Sequence, residues 1–150
     1  MRKHLNLPPG WAYHGPDEDP LPIRRLRDEP QEVYWLDERG GFRLEVLTKV
    51  VGITMPGRRQ NLQPLRVGMR LQLLREPDNP ADSNAVQVLN PSGAICGFLR
   101  RELAADLAPI MDRGERVECT VHELALYAER VQALRVRLCR EGADGPEPGT

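Results

Sequence analysis

The segment LREPDNPADSNAV, residues 74–86, joins two apolar runs and decides the architecture of this chain. Residues 71–74 are mostly leucine, and residues 85–89 form the second apolar run. Two prolines, two asparagines, two aspartates and a glutamate lie between them. Proline, asparagine and aspartate favour turns, but a simple turn needs fewer of them. The segment therefore predicts two strands joined by a loop shaped for contact.

Strand patterns continue on both sides of this loop. Val, Ile, Leu and Thr are concentrated in runs that predict strands at residues 33–36, 42–54, 70–75, 85–89, 94–99, 117–121 and 131–139. Residues 100–112 instead place Leu103, Leu107, Ile110 and Met111 on one helical face. Pro109 predicts a kink or a new first turn near Leu107. The pattern predicts a mainly β fold, a small OB-like or SH3-like antiparallel barrel with one or two short helices.

Both ends of the chain differ from this pattern. Residues 1–30 are rich in proline and predict an extended or partly disordered arm. In this arm, Trp11 and Tyr13 either dock on the domain or await a protein partner. Residues 31–140 are predicted to form the barrel domain, and residues 141–150 a flexible tail.

Composition excludes several classes of protein. No apolar run approaches the roughly 20 residues of a membrane span, and the start of the chain lacks the apolar core of a secretory signal. The three cysteines are widely spaced, which favours a reducing, cytoplasmic location over a disulfide framework. Cysteines and histidines show no paired ligand spacing, so neither a metal nor a cofactor is expected.

Positive charge is concentrated in the middle of the chain. Residues 57–101 contain seven arginines and three acids, whereas the whole chain has a net charge of −1. Arginine suits bidentate phosphate contacts, although a GC-rich genome explains the scarcity of lysine equally well. The candidates for phosphate binding are Arg58, Arg59, Arg75, Arg100 and Arg101. The alternative is a solvated face, or for Arg75 and Arg101 an ion pair with Glu76 or Asp82.

Several motifs together resemble the HIRAN domain family. They are GRR at 57–59, REPxNPxDxNAV at 75–86, GFL at 97–99 and RELA at 101–104. The resemblance covers about residues 46–138. It implies an OB-like barrel that binds single-stranded DNA at a free 3′-hydroxyl end, in DNA repair or replication-associated processes.

The resemblance also implies roles for individual residues. Arg59 matches an arginine of the family's first contact strand, and Arg101 matches the basic residue that opens the helix. Asn79 and Asp82 match the Asn-Pro-x-Asp loop, in which the aspartate accepts a hydrogen bond from the 3′-hydroxyl. Stacking aromatics of the DNA-binding type are replaced by Gln60 and Ala81, and a histidine by Phe98. Without two such platforms the base-stacking pocket is weakened.

Each assigned role has a structural alternative. Asp82 either binds the hydroxyl or caps the backbone of its own loop, and Asn79 either contacts the nucleotide or holds the turn. Phe98 is either a stacking platform or a core aromatic. For the whole domain, the alternative to DNA binding is a protein-interaction module on the same barrel.

An enzyme is not predicted. Asp78 and Asp82 superficially have the spacing of a calcium loop, but Pro80 occupies a ligand position and Ser83 replaces the required glycine. The sequence contains neither a Walker-type phosphate loop nor a nucleophile and base at a recognisable spacing. The predicted function is therefore non-catalytic binding.

Overall fold

Alternating apolar residues form the strands of a barrel. The computed structural model describes residues 9–15, 31–36 and 42–140. Its strands are β1 (Trp11–His14), β2 (Gln31–Leu36), β3 (Phe42–Val51), β4 (Arg70–Arg75), β5 (Val86–Leu89), β6 (Ile95–Leu99), β7 (Val117–Tyr127) and β8 (Arg130–Arg140). Its helices are α1 (Arg59–Leu62) and α2 (Arg101–Asp112).

The antiparallel strands close into a ring. The order is β3–β8–β7–β4–β5–β6, and β6 pairs again with β3. Strand β1 extends the sheet beside β7, and β2 extends it beside β3. Closure satisfies the backbone groups that an open sheet would leave at its edges. The predicted mainly β, OB-like barrel is confirmed.

The barrel encloses an aliphatic core. Val86 and Val88 of β5 and Val136 and Leu138 of β8 are fully buried. Helix α2 covers the core with the predicted face, on which Leu103, Leu107 and Ile110 are buried and Met111 is partly buried. A second helix does not begin near Leu107, since α2 continues through Pro109 to Asp112.

Two strand boundaries differ from the sequence prediction. Strand β3 ends at Val51 rather than Thr54, because Gly52 adopts a φ of 74° that breaks the extended backbone. The last two strands are longer than predicted and pair as a hairpin from Tyr127 to Arg130. Its two turn residues both have positive φ, 50° at Ala128 and 66° at Glu129. Neither is a residue that favours this conformation, so the sequence pattern did not reveal the turn.

The described part of the arm docks on the barrel. Strand β1 pairs with the end of β7, and the rings of Trp11 and Tyr127 lie 5.3 Å apart. The hydroxyl of Tyr13 donates to Glu123 Oε2 at 2.5 Å. Glu123 is 2% exposed and lies 3.6 Å from Arg135, which is 1% exposed. The arm therefore donates a hydrogen bond to the carboxylate of a buried ion pair.

Other predictions about the chain ends concern residues outside the described ranges. These include most of residues 1–30 and all of residues 141–150, so the three predicted boundaries stay predictions. Neither described helix is long and apolar enough to cross a membrane.

Candidate nucleic-acid interface

Strand register places the 76–85 loop and the start of α2 at one end of the barrel. Arg75, at the end of β4, pairs with Val86 at the start of β5. Gln87 then pairs with Phe98 near the end of β6, and Val51 at the end of β3 pairs with Phe98 from the other side. The segments 76–85 and 98–101 therefore lie at the same end, which we call the loop end, whereas residues 52–59 continue beside β6 toward its start and contact Phe98 through Arg58.

The start of β8 lies beside the segment that follows β3. Lys49 of β3 pairs with Arg135 of β8, and the two strands are antiparallel. Residues 130–134 therefore extend alongside residues 50–54, on the side of β3 away from β6. This neighbourhood is invisible in the sequence, because residues 130–134 lie some seventy positions after the β3–α1 segment.

Asn79 organises the loop between β4 and β5. Its side-chain Oδ1 accepts hydrogen bonds from the backbone N–H groups of Ala81 at 2.8 Å and Asp82 at 3.0 Å. Its Nδ2 donates to the carboxylate of Glu76, which also accepts from Gln87 on β5. Both polar atoms of the Asn79 side chain therefore form hydrogen bonds within this part of the structure. This is the arrangement expected if Asn79 holds the turn.

Asp82 has a divided role. Its Oδ1 accepts from the backbone N–H of Asn84 at 2.9 Å, and the Asp82 carbonyl accepts from Ala85 N–H at 3.0 Å. This is the predicted Asx-turn. The second carboxylate oxygen, Oδ2, has no hydrogen-bond partner among the described residues. Asp82 is half-buried, so that oxygen remains available to a ligand.

Arg75 has a structural role, but its direct partner is Asp112 rather than the predicted Glu76 or Asp82, and Asp82 contributes only a weaker electrostatic attraction. The guanidinium contacts Asp112 at the end of α2, with Nε–Oδ1 and Nη2–Oδ2 distances of 2.9 and 3.1 Å. It also donates to the carbonyls of Ser83 and Ala85 at 3.0 Å. This hydrogen bonding raises the pKa of Arg75 and lowers the pKa of Asp112. Arg75 thus fastens the loop to α2 and is not a free phosphate contact.

Arg58 and Phe98 form one unit. Arg58 Nη1 donates to the Gly52 carbonyl at 2.6 Å, and the guanidinium carbon lies 5.4 Å from the centre of the Phe98 ring. Phe98 is half-buried between β5 and β3. One face of the ring is therefore covered by a cation, and the guanidinium plane presents a flat, charged surface at the loop end.

The other predicted arginines differ in their exposure and in their ion pairs. Arg59 is exposed at the first position of α1, not on a strand, and α1 is tied to β6 by Asn61 Nδ2, which donates to the Ile95 carbonyl at 2.8 Å. Arg101 is exposed at the first position of α2 and makes no ion pair with the described residues. Arg100 pairs with Glu102 at 3.2 Å.

A cavity that sequence reasoning missed lies beside these residues. Its volume is about 520 Å³. Arg59 and Gln60 line one side, and Arg130 and Gln132 of β8 line another. Gln60 was predicted only as a position that lacks an aromatic, and nothing local in the sequence distinguishes Arg130 from other surface arginines.

The described residues contain no metal cluster, and two of the buried thiols are weakly acidic. Burial raises the pKa of the Cys96 thiol to about 11, against a smaller opposing effect of Arg58, and also raises the pKa of Cys119. Both thiols are protonated at neutral pH and therefore poor nucleophiles. Within the described ranges, no three His, Cys, Asp or Glu residues lie close enough to hold a metal ion.

Comparison with known proteins agrees with the motifs. A model of the HIRAN domain matches residues 45–136. A Fanconi-associated nuclease 1 homolog from Arabidopsis thaliana is 31% identical over 120 residues, which is 79% of this chain and 13% of that protein. A helicase-like transcription factor from Oryctolagus cuniculus is 58% identical over 40 residues, 27% of this chain and 4% of that protein. The chain thus spans a small part of the length of these curated relatives.

Solved structures include domains of the same family. The crystal structure of the HIRAN domain of human HLTF is 26% identical, covers 73% of this chain and 80% of that chain, and has a TM-score of 0.49. An NMR structure of the HLTF domain in its DNA-bound conformation is 25% identical over the same shares, with a TM-score of 0.43. Because the family model covers more than half of the sequence, including the Asn79–Asp82 loop and α2, the chain belongs to the HIRAN domain family.

Proposed function

We propose that this domain binds single-stranded DNA across the loop end, without catalysing a reaction on it. The observation that carries the proposal is the strand register, which places Phe98, with Arg58 over its ring, beside Gln87 of β5 at the end of the barrel that bears the 76–85 loop. Family membership supports a DNA ligand, since the HLTF member of the family has a structure in a DNA-bound conformation.

Exposed arginines supply the phosphate contacts in this proposal. Arg101 and Arg59 are exposed and make no ion pairs with the described residues, so binding a phosphate breaks no existing contact. Arg58 is fixed by the Gly52 carbonyl and Phe98, which lowers the entropy lost when it binds a ligand. Arg100 shares its charge with Glu102 and contributes less.

The Arg58–Phe98 unit replaces the missing aromatic platforms. Gln60 and Ala81 cannot stack with a base, but unstacked bases also pack on guanidinium planes. Such stacking needs a base whose faces are exposed, which favours a single strand over a duplex. The proposed base position is therefore above the guanidinium of Arg58.

Recognition of a free 3′-hydroxyl end rests on Asp82. Its Oδ1 is occupied by the loop, and Oδ2 remains as an acceptor for a terminal hydroxyl. A terminal phosphate at the same position would be repelled by the carboxylate, which gives discrimination between ends. A place in DNA repair or replication, where such ends arise, and a cytoplasmic location both remain proposals.

The test measures fluorescence anisotropy of labelled single strands across a salt series. Strands carry either a 3′-hydroxyl or a 3′-phosphate, and a circular strand provides no end. We expect Arg101→Gln to weaken binding and to reduce the slope of log affinity against log salt by about 0.7, the value of one single-strand phosphate contact. Arg66→Gln is the matched control, because Arg66 is exposed but lies between α1 and β4.

Asp82→Asn separates the hydroxyl role from the structural role. The asparagine Oδ1 still accepts from the Asn84 N–H, whereas the amide Nδ2 that replaces Oδ2 is a donor. We expect the folded domain to lose its preference for 3′-hydroxyl over 3′-phosphate while binding circular DNA as before. An unchanged preference would remove Asp82 from the proposal. No binding to any strand at low salt would reject the DNA function and favour the protein-interaction alternative.

A further inference from the structure

We propose that residues 9–15, which we call the docked segment, regulate the affinity of the candidate interface. While docked, the segment holds the β7–β8 turn, and through this turn it keeps Arg130 where it strengthens binding of a strand. The inference rests on the proposed function, because it concerns the affinity of that same site. Docking of the segment and binding of a strand then favour each other, since a coupling between two sites acts equally in both directions.

Two contacts join the docked segment to the turn between β7 and β8. The Gly10 carbonyl accepts a hydrogen bond from the Ala128 N–H at 2.9 Å, and the rings of Trp11 and Tyr127 lie 5.3 Å apart. Gly10 also lies against Tyr127, because a Cβ atom placed on this glycine would be 2.8 Å from Tyr127 Cε1. The docked segment therefore contacts both the backbone of the turn and the side chain that precedes it.

The turn has a conformation that its own residues do not favour. Ala128 and Glu129 have φ values of 50° and 66°, in the left-handed region that is costly for residues with a Cβ atom. Such backbone persists only where its surroundings enforce it. The hydrogen bond to Gly10 belongs to those surroundings, so loss of the docked segment removes one of the contacts that enforce the turn.

The turn leads directly into the wall of the cavity that contains Arg59. Arg130, the first residue of β8, pairs with Tyr127 across the turn, and residues 130–132 line the cavity together with Arg59. Both arginines are exposed, and neither makes an ion pair with the described residues.

Electrostatics alone does not keep Arg130 near Arg59. No aspartate or glutamate lines the cavity, so the two positive charges favour rotation of Arg130 away into solvent. A fixed turn opposes that movement. A phosphate bound at Arg59 then gains a second charged donor, whereas it meets Arg130 less often when the turn is free.

The barrel surface beneath the docked segment fits it. Ala125 is fully buried and Ala133 is 5% exposed, and the rings of Trp11 and Tyr13 pack against them. Small side chains at these two positions leave room for the two rings. The four-residue strand β1 nevertheless pairs only with β7 among the described strands, and the ring of the barrel closes without it. The segment can therefore undock while the barrel stays folded.

Substitution of Gly10 tests the coupling in the full chain. Gly10→Ala places a Cβ atom against the Tyr127 ring at a position whose φ is 87°, so we expect the segment to undock. Fluorescence anisotropy should then show single-strand binding weakened about tenfold, a usual size for a coupling between sites. The slope of log affinity against log salt should fall by about 0.7, the value of one phosphate contact.

A matched control and a second variant accompany Gly10→Ala. Gly114→Ala is the control, because Gly114 has a φ of 93° but a Cβ atom there meets nothing within 4 Å. We expect this control to bind strands as the wild type does. Trp11→Ala undocks the segment by removing the ring contact with Tyr127 and leaves the backbone of Gly10 unaltered. Faster hydrogen exchange of the Ala128 amide verifies undocking, and circular dichroism verifies the folded barrel.

A double-mutant cycle tests whether the effect passes through Arg130. In an Arg130→Gln background, Gly10→Ala should cause no further loss of affinity, because the side chain that the docked segment positions is already removed. Additive losses would overturn the inference, since the segment would then act by another route. Equal losses in Gly10→Ala and Gly114→Ala would also overturn it, because positive φ alone would then account for the effect.

Reciprocity gives a readout that a change in stability alone does not move. Exchange of the Ala128 amide should slow when a single strand binds the wild-type protein, and Arg130→Gln should remove this slowing. An exchange rate that binding leaves unchanged would contradict the coupling. Strand binding that neither undocking variant weakens would reject the inference and keep the proposed function. A wild-type protein that binds no strand at low salt would reject both.

Discussion

At the scale of single residues, the same side chains serve the fold and the candidate site. Asn79 uses both of its polar atoms inside the loop, and Asp82 uses one of its two carboxylate oxygens there. A rigid loop loses little entropy when a ligand binds, so this internal hydrogen bonding favours recognition by the oxygen that remains. The polar composition of the loop is thus mostly explained by its own backbone.

The buried carboxylate of Glu123 gives a prediction at this scale. Tyr13→Phe removes the donor at 2.5 Å from Glu123 Oε2 and leaves a charged oxygen without that partner. We expect the free energy of unfolding to fall by about 2 kcal/mol, the usual size of a hydrogen bond to a charged group. Urea denaturation followed by circular dichroism measures this change.

Tyr127→Phe is the matched control for Tyr13→Phe. Tyr127 is 47% exposed, and its ring contact with Trp11 is retained by phenylalanine. We expect its effect to stay within about 0.5 kcal/mol, as for other surface substitutions. A similar loss in the two variants would show that the Tyr13 hydroxyl has no special part in stabilising the docked arm.

At the scale of secondary-structure elements, the β7–β8 hairpin shows how pairing can overrule local preference. Ala128 and Glu129 both occupy the left-handed region, which is costly for residues with a Cβ atom. Long pairing along β7 and β8, from Val117 with Arg140 to Tyr127 with Arg130, enforces the two-residue turn. The same pairing brings Arg130 to the cavity.

The strained turn gives the prediction for this scale. Replacing Ala128 and Glu129 with Asn and Gly supplies the residues that favour two-residue turns with positive φ. We expect the free energy of unfolding to rise by about 1 kcal/mol, because the left-handed conformation then costs less. Thermal and urea denaturation would measure the gain.

Asp106→Gly is a control for the turn variant, since Asp106 is exposed within helix α2. Glycine there should lower the free energy of unfolding by roughly 0.5 kcal/mol. If glycine raised stability at both positions, positive φ at the turn would not be the cause of the gain.

At the scale of the whole molecule, barrel closure creates the candidate interface. Phe98 lies between the end of β3 and the start of β5, close to Arg58, only because these strands pair in the observed register. The ring then adds the start of β8, which supplies Arg130. A one-residue slip of any pair would point its side chains to the opposite face and dismantle the site.

Gly97 gives a prediction about closure. A Cβ atom at this position would lie 2.4 Å from the Val51 carbonyl oxygen and 2.8 Å from Val50 Cγ1, where β6 meets β3. We expect Gly97→Ala to lower the free energy of unfolding by about 2 kcal/mol or more, as overpacking does in other cores. Urea denaturation tests this, and a loss under 0.5 kcal/mol would contradict so close an approach of the two strands.

The sequence by itself determined the barrel class, most strand positions, the apolar face of α2 and the family. Hydrophobic periodicity and turn residues are local signals, and the motif around Asn79 and Asp82 is contiguous. Local signals also located the arginines near Gly57 and at the start of α2.

Only the tertiary structure decided which of those residues are available to bind a ligand. In the folded chain Arg75 is paired with Asp112, and Arg58 covers one face of Phe98. Tyr13 donates a hydrogen bond to a buried ion pair. It also brought Arg59 and Arg130 to the lining of one cavity, although the two are far apart in sequence. Such neighbours follow from the register and closure of the barrel, and these depend on long-range pairing that no local sequence pattern records.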